Sequence, residues 1–170
     1  MFFNDINIVN PTKEDSKGIY ELIKRSKPLD LNSEYLYLLQ TVYFEGTCMA
    51  AKHEDKIIGF VSGFKAPKDD KTFFVWQVAV DKEYRGQNIA FRMLKTLFES
   101  EALKEIESIE TTISPSNIAS QRVFEKFANE MDFDKEISLF AAKDDFSDSH
   151  EDELLYLLKP KVKKDTYENI

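Results

Sequence analysis

The spacing of hydrophobic and polar positions changes several times along the chain, and each change marks an element. Ile6 to Val9 reads as a short strand. Thr12 and Asp15 follow at the spacing of a reciprocal helix cap, and Ile19, Leu22 and Ile23 then recur at helical intervals. A second helix fits Ser33 to about Phe44, with Tyr35, Leu38, Leu39 and Val42 along one stripe. Thr47 to Lys52 and Ile57 to Phe64 read as strands joined by the polar turn Glu54-Asp55-Lys56, a hairpin. Phe73 to Val80 is apolar on both alternating faces except at Gln77, the pattern of a central strand buried on both sides. Beyond Asn88 the period is helical again, with Ala90, Met93, Leu94, Leu97 and Phe98 facing inward. A strand from Ser108 to Ile113 turns at Ser114-Pro115-Ser116 into a helix carrying Ile118, Ala119, Arg122, Val123, Phe124 and Phe127. Ile137 to Ala142 and Leu154 to Leu158 fit two last strands flanking the acidic loop from Asp144 to Glu153.

The order β-α-α-β-β-β-α-β-α-β-β, with one strand-helix-strand crossover, predicts a mixed sheet with helices on both faces, an α/β or α+β fold. No repeat or linker divides the chain, so residues 1–158 are expected to form one domain and residues 159–170 a polar, frayed tail. The 170 residues, 42% hydrophobic with 14 Phe, 7 Tyr and 1 Trp, are enough to bury a core. Charge narrows the partners: 23 basic against 31 acidic side chains give −8, which repels nucleic acid and anionic lipid. The start, Met1-Phe2-Phe3-Asn4-Asp5, has no export pattern, and no apolar run is long enough to cross a membrane. The lone Cys48 lies in an apolar strand with no evident base, and no Cys/His cluster has metal-site spacing. A cytoplasmic protein without a metal is expected.

Chemistry is expected where a strand ends and a helix begins. Val78-Ala79-Val80 runs through Asp81 to Asn88 into such a helix, with Lys82, Arg85, Arg92 and Lys95 nearby, and the free N–H groups of a helix start can hold a diphosphate. On the residues alone, an ordinary turn with solvated charges explains this segment equally well. No other phosphate-binding loop pattern occurs.

Arg85-Gly86-Gln87-Asn88-Ile89-Ala90, after a Val-Ala-Val strand, resembles the acetyl-CoA loop of the GNAT acetyltransferase superfamily, Gln/Arg-x-x-Gly-x-Gly/Ala. Asn88 stands where that family usually has Gly, and Asn is the residue next most tolerant of positive φ. Asn117-Ile118-Ala119-Ser120 with Phe124 matches the family's second element, although Phe124 replaces the tyrosine that protonates the departing thiolate in many members. The resemblance implies a mixed, mostly antiparallel sheet of about seven strands. It also implies an acetyl-CoA site built from Val78, Ala79, Val80, Arg85, Gly86, Gln87, Asn88, Ile89, Ala90, Asn117, Arg122 and Phe124.

Residues 29–39, 74–80, 110–117 and 150–153, together with that loop, are similar to the L-2,4-diaminobutyrate acetyltransferases of ectoine biosynthesis. This resemblance implies transfer of acetyl from acetyl-CoA to the 4-amino group of L-2,4-diaminobutyrate by direct attack, in an enzyme that is a homodimer. It favours Asp30, Ser33, Tyr35, Trp76, His150 and Glu153 as the substrate pocket, with Glu153, Asp30 and His150 as catalytic groups. The chemistry is consistent. An alkylammonium, pKa near ~10, must lose a proton before it attacks, and a carboxylate can both attract the cation and accept that proton. Glu34, Glu151 and Asp152 are further carboxylates within reach in sequence, and His150 is an alternative base. Simpler roles compete: Asp30 and Ser33 as helix caps, Trp76 as core, Tyr35 and Tyr37 as helix packing. Another amine substrate, or a GNAT-fold binding module without catalysis, remains an alternative on sequence alone.

Overall fold

The computed structural model describes residues 5–162; the first four residues and most of the expected frayed tail lie outside the described residues. Seven strands form one sheet in the order β1-β2-β3-β4-β5-β7-β6. They are β1 (Ile6–Val9), β2 (Cys48–His53), β3 (Lys56–Lys65), β4 (Thr72–Val80), β5 (Ser108–Ile113), β6 (Phe133–Ala141) and β7 (Glu153–Pro160). The helices are α1 (Ser16–Lys24), α2 (Glu34–Tyr43), α3 (Ile89–Phe98) and α4 (Ile118–Glu130). All neighbouring strands are antiparallel except β4 and β5. The sequence order of elements is the predicted one, and Phe73 to Val80 lies in the middle of the sheet.

Local chemistry accounts for several boundaries. The Asp15 carboxylate accepts the Thr12 N–H at 2.8 Å, so the predicted cap exists, but it closes a 3-10 turn (Lys13–Asp15) from which α1 continues. Ser33 Oγ accepts the Leu36 N–H at 3.3 Å and starts α2. The last strands depart from expectation. β6 begins four residues before Ile137, because Phe133-Asp134-Lys135-Glu136 lies at the sheet edge, where polar side chains can face water while the backbone still pairs. β7 reaches Pro160, two residues into the segment expected to fray.

Two cores flank the sheet. Ile19, Leu22 and Ile23 of α1 and Tyr37 of α2 pack with Cys48, Ala50, Ile57, Phe60 and Ala79 on one face. On the other, Met93, Leu94 and Leu97 of α3 and Phe124 and Phe127 of α4 pack with Met49, Val61, Phe73, Val75 and Ile109. Alternation along β2 feeds both, Cys48 and Ala50 to one side and Met49 and Ala51 to the other. Cys48 is wholly buried, and burial pushes its thiol up to about 12, so it is a core residue without nucleophilic character.

β4 is irregular in two ways. Ser62 pairs with Gln77 but Gly63 pairs with Val75, leaving Trp76 as an extra, bulged residue. Before the bulge Phe73 and Val75 face the α3/α4 core; after it Val78 and Val80 do, and Ala79 joins the α1/α2 core. The parallel ladder to β5 is short as well. It covers only Thr72 to Phe74 against Ser108 to Glu110, and beyond it the strands have no register partners in each other. At the fork Thr111 Oγ1 donates to the Val75 carbonyl at 3.0 Å.

Gly63 is required at the bulge. A Cβ there would lie 2.3 Å from the Phe74 carbonyl oxygen and 2.5 Å from the Phe73 ring. Gly63→Ala is expected to destabilise the fold by about 3 kcal/mol, the upper range for overpacking a rigid core; the midpoint of urea unfolding measures it.

Candidate functional site

The turn from β4 into α3 is built around two residues with left-handed backbone. Gly86 has φ +82° and Asn88 φ 58°, so the departure from glycine at position 88 keeps the turn. The Asn88 carbonyl accepts the Arg92 N–H at 2.9 Å, the first bond of α3, so the N–H groups of Ile89, Ala90 and Phe91 lack intrahelical partners. The Asn88 side chain does not cap the helix. Its Oδ1 instead accepts from Lys126 Nζ of α4 at 2.8 Å, tying the turn to the neighbouring helix. Asn117 caps α4, its Oδ1 accepting the Ser120 N–H at 3.1 Å.

Between these helix starts lies a cavity of about 740 Å³. Val78, Ala79 and Val80 form its floor, the Tyr84 to Phe91 segment one wall, α4 a second, and Ser26 to Leu29 a third. Among the described residues four cations line it, Lys27, Arg85, Arg122 and Lys126, and no acidic side chain does. In a chain of net charge −8 this is a local reversal of sign. With the helix N-termini and the β5-facing backbone freed by the fork, it fits a long anion carrying an amide-rich arm.

The positive set differs from the expected one. Arg92 donates to the Ile6 carbonyl at 3.1 Å, and Lys95 pairs with Glu99, so both are structural, whereas Lys27 and Lys126 come from segments that sequence spacing did not connect. Of the expected cofactor residues, Val78, Ala79, Val80, Arg85, Gly86, Asn88, Ile89, Ala90, Asn117 and Arg122 line the cavity. Phe124 and Gln87, expected among them, do not. Phe124 is only 2% exposed and belongs to the α3/α4 core, because α4 turns Ser120, Val123 and Lys126 toward the cavity and the position after Val123 inward. The Gln87 amide folds back toward the Tyr84 carbonyl at 3.4 Å and is not part of the lining.

The loop is pinned from below. Asp81, almost wholly buried, accepts from Arg25 Nη2 at 2.9 Å and from the Glu83 N–H at 3.2 Å, and its carboxylate lies 3.3 Å from Lys56 Nζ. Burial opposes its charge, but the Glu83 N–H, Arg25 and Lys56 outweigh burial and hold the carboxyl below its usual range. Since Arg25 immediately precedes Ser26 to Leu29, this pair joins two walls of the cavity.

Three of the expected substrate residues adjoin lining residues of the cavity in the chain or through a hydrogen bond. Asp30 follows the lining residue Leu29, Trp76 precedes Val78 by two positions, and Glu153 accepts from Ser114 Oγ at 2.6 Å, two residues before the lining residue Ser116. Asp30 is exposed, and its carbonyl accepts from Gln77 Nε2 at 2.7 Å. His150 and Glu153 meet, with Nε2 at 3.9 Å from Oε1. His150 stacks on Phe146 at 4.0 Å, and its Nδ1 lies 2.7 Å from the Glu151 carbonyl. A carbonyl only accepts, so Nδ1 carries the proton and Nε2 of the neutral ring is left as the basic nitrogen. Trp76 is not core: it is 45% exposed, edge-on to Phe64. Tyr35 is 66% exposed on the first turn of α2, and Ser33 Oγ is engaged as the cap of that helix.

The remaining carboxylates are distinguished by their bonds. Glu151 accepts from both Ser116 N–H and Oγ, and Asp152 accepts the Lys143 N–H, so both are used in holding loops together. Glu34 is exposed. Glu153 uses only Oε1 toward Ser114 and is left with Oε2 for a ligand. Among the described residues no group of three or more His, Cys, Asp or Glu could hold a metal ion, and no helix is long and apolar enough to cross a membrane.

A model of the acetyltransferase (GNAT) family matches residues 16–128, spanning both helix starts and the cavity floor. The chain belongs to the GNAT acetyltransferase family. Within that family this GNAT chain is 41% identical to the L-2,4-diaminobutyric acid acetyltransferase of Marinococcus halophilus, across 90% of its own length and 89% of the relative's. It is 42% identical to the enzyme of the same name from Vibrio parahaemolyticus, over 86% and 81% of the two chains. It belongs with these diaminobutyric acid acetyltransferases. The solved diaminobutyrate acetyltransferase EctA from Paenibacillus lautus, in complex with its substrate L-2,4-diaminobutyric acid and coenzyme A, superposes with a TM-score of 0.89. That similarity has 40% identity and covers 94% of this chain and 98% of the other. The ribosomal-protein-S18-alanine N-acetyltransferase of Escherichia coli, at 16% identity and TM-score 0.68, shares the GNAT fold.

The Asp81 pin has a pH signature. A carboxyl whose folded pKa is depressed stabilises the fold fully above the unfolded aspartate pKa of ~4, and the contribution is lost as pH falls through the folded value. Asp81→Asn is expected to cost about 2 kcal/mol at pH 7, with the difference from wild type shrinking below pH ~4. Urea unfolding at a series of pH values measures both.

Proposed function

We propose that this protein transfers the acetyl group of acetyl-CoA to the 4-amino group of L-2,4-diaminobutyrate, giving the Nγ-acetyl product of the ectoine route. The observation that carries the reading is the cation-lined cavity at the fork of β4 and β5, with Glu153 held by Ser114 two residues before the lining residue Ser116. It is supported by the similarity to named diaminobutyrate acetyltransferases over most of the chain.

The acetyl thioester would supply an electrophilic carbonyl carbon. In this reading the backbone groups of Val78 to Val80 hold the pantetheine arm, and the N–H groups at the start of α3, with Arg85 and Lys126, hold the diphosphate. Asp30 and Glu153 attract the dicationic amino acid. Glu153, fixed by Ser114, accepts the proton from the 4-ammonium, with His150 Nε2 beside it as a second acceptor. The neutral amine then forms its bond to the carbonyl carbon directly, a preset backbone N–H stabilises the oxygen as charge develops, and the C–S bond breaks. The acylated nitrogen, which still carries two hydrogens, gives one up as a proton to solvent, and the thiolate takes a proton from water or a nearby group. Phe124 has no proton to give and is buried in the core.

Purified protein incubated with acetyl-CoA and L-2,4-diaminobutyrate is expected to release thiol, with NMR placing the acetyl group on the 4-amine. Acetylation at the 2-amine, or turnover only with another amine, overturns the substrate assignment; tight acetyl-CoA binding without turnover of any amine indicates a binding module. Glu153→Gln and Asp30→Asn are expected to lower kcat/KM by well over tenfold. If both stay within about threefold, ~0.7 kcal/mol of transition-state stabilisation, the pocket assignment is wrong.

The same reading makes the protein a cytoplasmic homodimer. Ile137, Leu139 and Phe140 are exposed on the edge strand β6, the kind of apolar edge that a second chain covers. Sedimentation velocity is expected to give a dimer for wild type and a shift toward monomer for Leu139→Asp; a monomeric wild type refutes the dimer.

A further inference from the structure

Gln77 is an anomaly in its strand. It is a primary amide in the middle of β4, 5% exposed, where its neighbours on the same face, Ala79 and the α1/α2 core, are apolar. Burying an amide is costly unless both ends find partners. Both do, and both partners belong to one stretch of chain outside the sheet. Tyr37 Oη donates to Gln77 Oε1 at 3.2 Å, and Gln77 Nε2 donates to the Asp30 carbonyl at 2.7 Å. Tyr37 Oη in turn accepts the Asn32 N–H at 3.3 Å. The chain from Asp30 to Asn32 is therefore fixed at two backbone points, and each leads to Gln77. Tyr37 itself is fully buried, its ring edge-on to Phe60 at 6.4 Å.

Gln77 also directly follows the bulged Trp76. Without the extra residue the amide would point to the α3/α4 side; with it, the amide points to α2 and the Asp30 loop while Val78 turns to the cofactor cavity. Three functions thus meet at consecutive residues: Trp76 at the pocket, Gln77 to the loop carrying Asp30, and Val78 in the cavity.

We propose that Gln77, locked by Tyr37, is the positioning residue that sets the Asp30 loop relative to the acetyl group, and so determines which amine of the diamino acid is acetylated. Diaminobutyrate has two amines separated by a short chain, and discriminating them requires the Asp30 carboxylate to be held within a fraction of an ångström. An exposed aspartate on an otherwise irregular loop cannot supply that precision by itself. Two hydrogen bonds from a central strand can. This inference rests on the proposed diaminobutyrate reaction and goes beyond it by naming a residue that need not touch substrate.

The test compares wild type with Gln77→Leu and Tyr37→Phe, reading KM for each substrate, the ratio of 4-acetyl to 2-acetyl product by NMR, and thermal unfolding. Ser62, opposite Gln77 on β3, makes no hydrogen bond to it, so Gln77→Leu removes only the two bonds described. Gln77→Leu is expected to raise KM for diaminobutyrate by about tenfold or more and to produce 2-acetyl product at roughly a tenth of the total, with KM for acetyl-CoA within about twofold. Tyr37→Phe, which keeps the bond to Asp30, is expected to raise KM for diaminobutyrate by about threefold. A folded Gln77→Leu protein with wild-type KM for diaminobutyrate and only 4-acetyl product overturns the proposal, as does an equal rise in both KM values. If Gln77→Leu does not fold, an unchanged KM for diaminobutyrate in Tyr37→Phe overturns it. Failure of wild type to acetylate diaminobutyrate refutes the reaction itself and is read separately.

Discussion

A parallel pair of strands that stops pairing halfway organises this molecule. β4 and β5 share register over only Thr72 to Phe74 and Ser108 to Glu110, after which Thr111 bridges to Val75 and the strands part. Backbone polar groups in a sheet must be paired, and a strand freed of its neighbour on one side presents groups that something else must satisfy. Under the proposed function the amide-bearing arm of acetyl-CoA would do so. The same parting leaves room between the starts of α3 and α4, so the cavity's floor and the two walls that carry helix N-termini and cations follow from one local failure of pairing.

The bulge at Trp76 gives the fork its chemical direction. By adding one residue to β4 it exchanges which side chains face which layer, so that Val78 and Val80 turn to the cofactor side while Gln77 turns to the helices opposite. Gly63 makes room for this on β3. Residues 30, 76 and 153, proposed above as substrate groups and far apart in sequence, each have a lining residue of the cavity within a few positions or one hydrogen bond.

Electrostatics divide the surface in the same way. The chain carries an excess of eight negative charges, yet Lys27, Arg85, Arg122 and Lys126 converge where, among the described residues, no carboxylate lines the wall. Asp30, next to the lining residue Leu29, and Glu153, bonded to Ser114, are the carboxylates proposed above for a cationic amino acid.

Periodicity alone determined the order of elements, the central place of Phe73 to Val80 and the strand-to-helix turn through Asp81 to Asn88. These depend on spacing along the chain, on buried faces and on the backbone freedom of Gly86 and Asn88, all local properties. Family likeness pointed to the pocket residues but not to their partners. Only the tertiary structure decided that Phe124 is core, that Arg92 and Lys95 are structural while Lys27 and Lys126 line the cavity, and that Gln77 holds the Asp30 loop. Each of these turns on which residues, tens of positions apart, face one another across two layers. A bulge of one residue is enough to reverse that facing, and a single strand's pattern does not reveal a bulge until its partner's register is known.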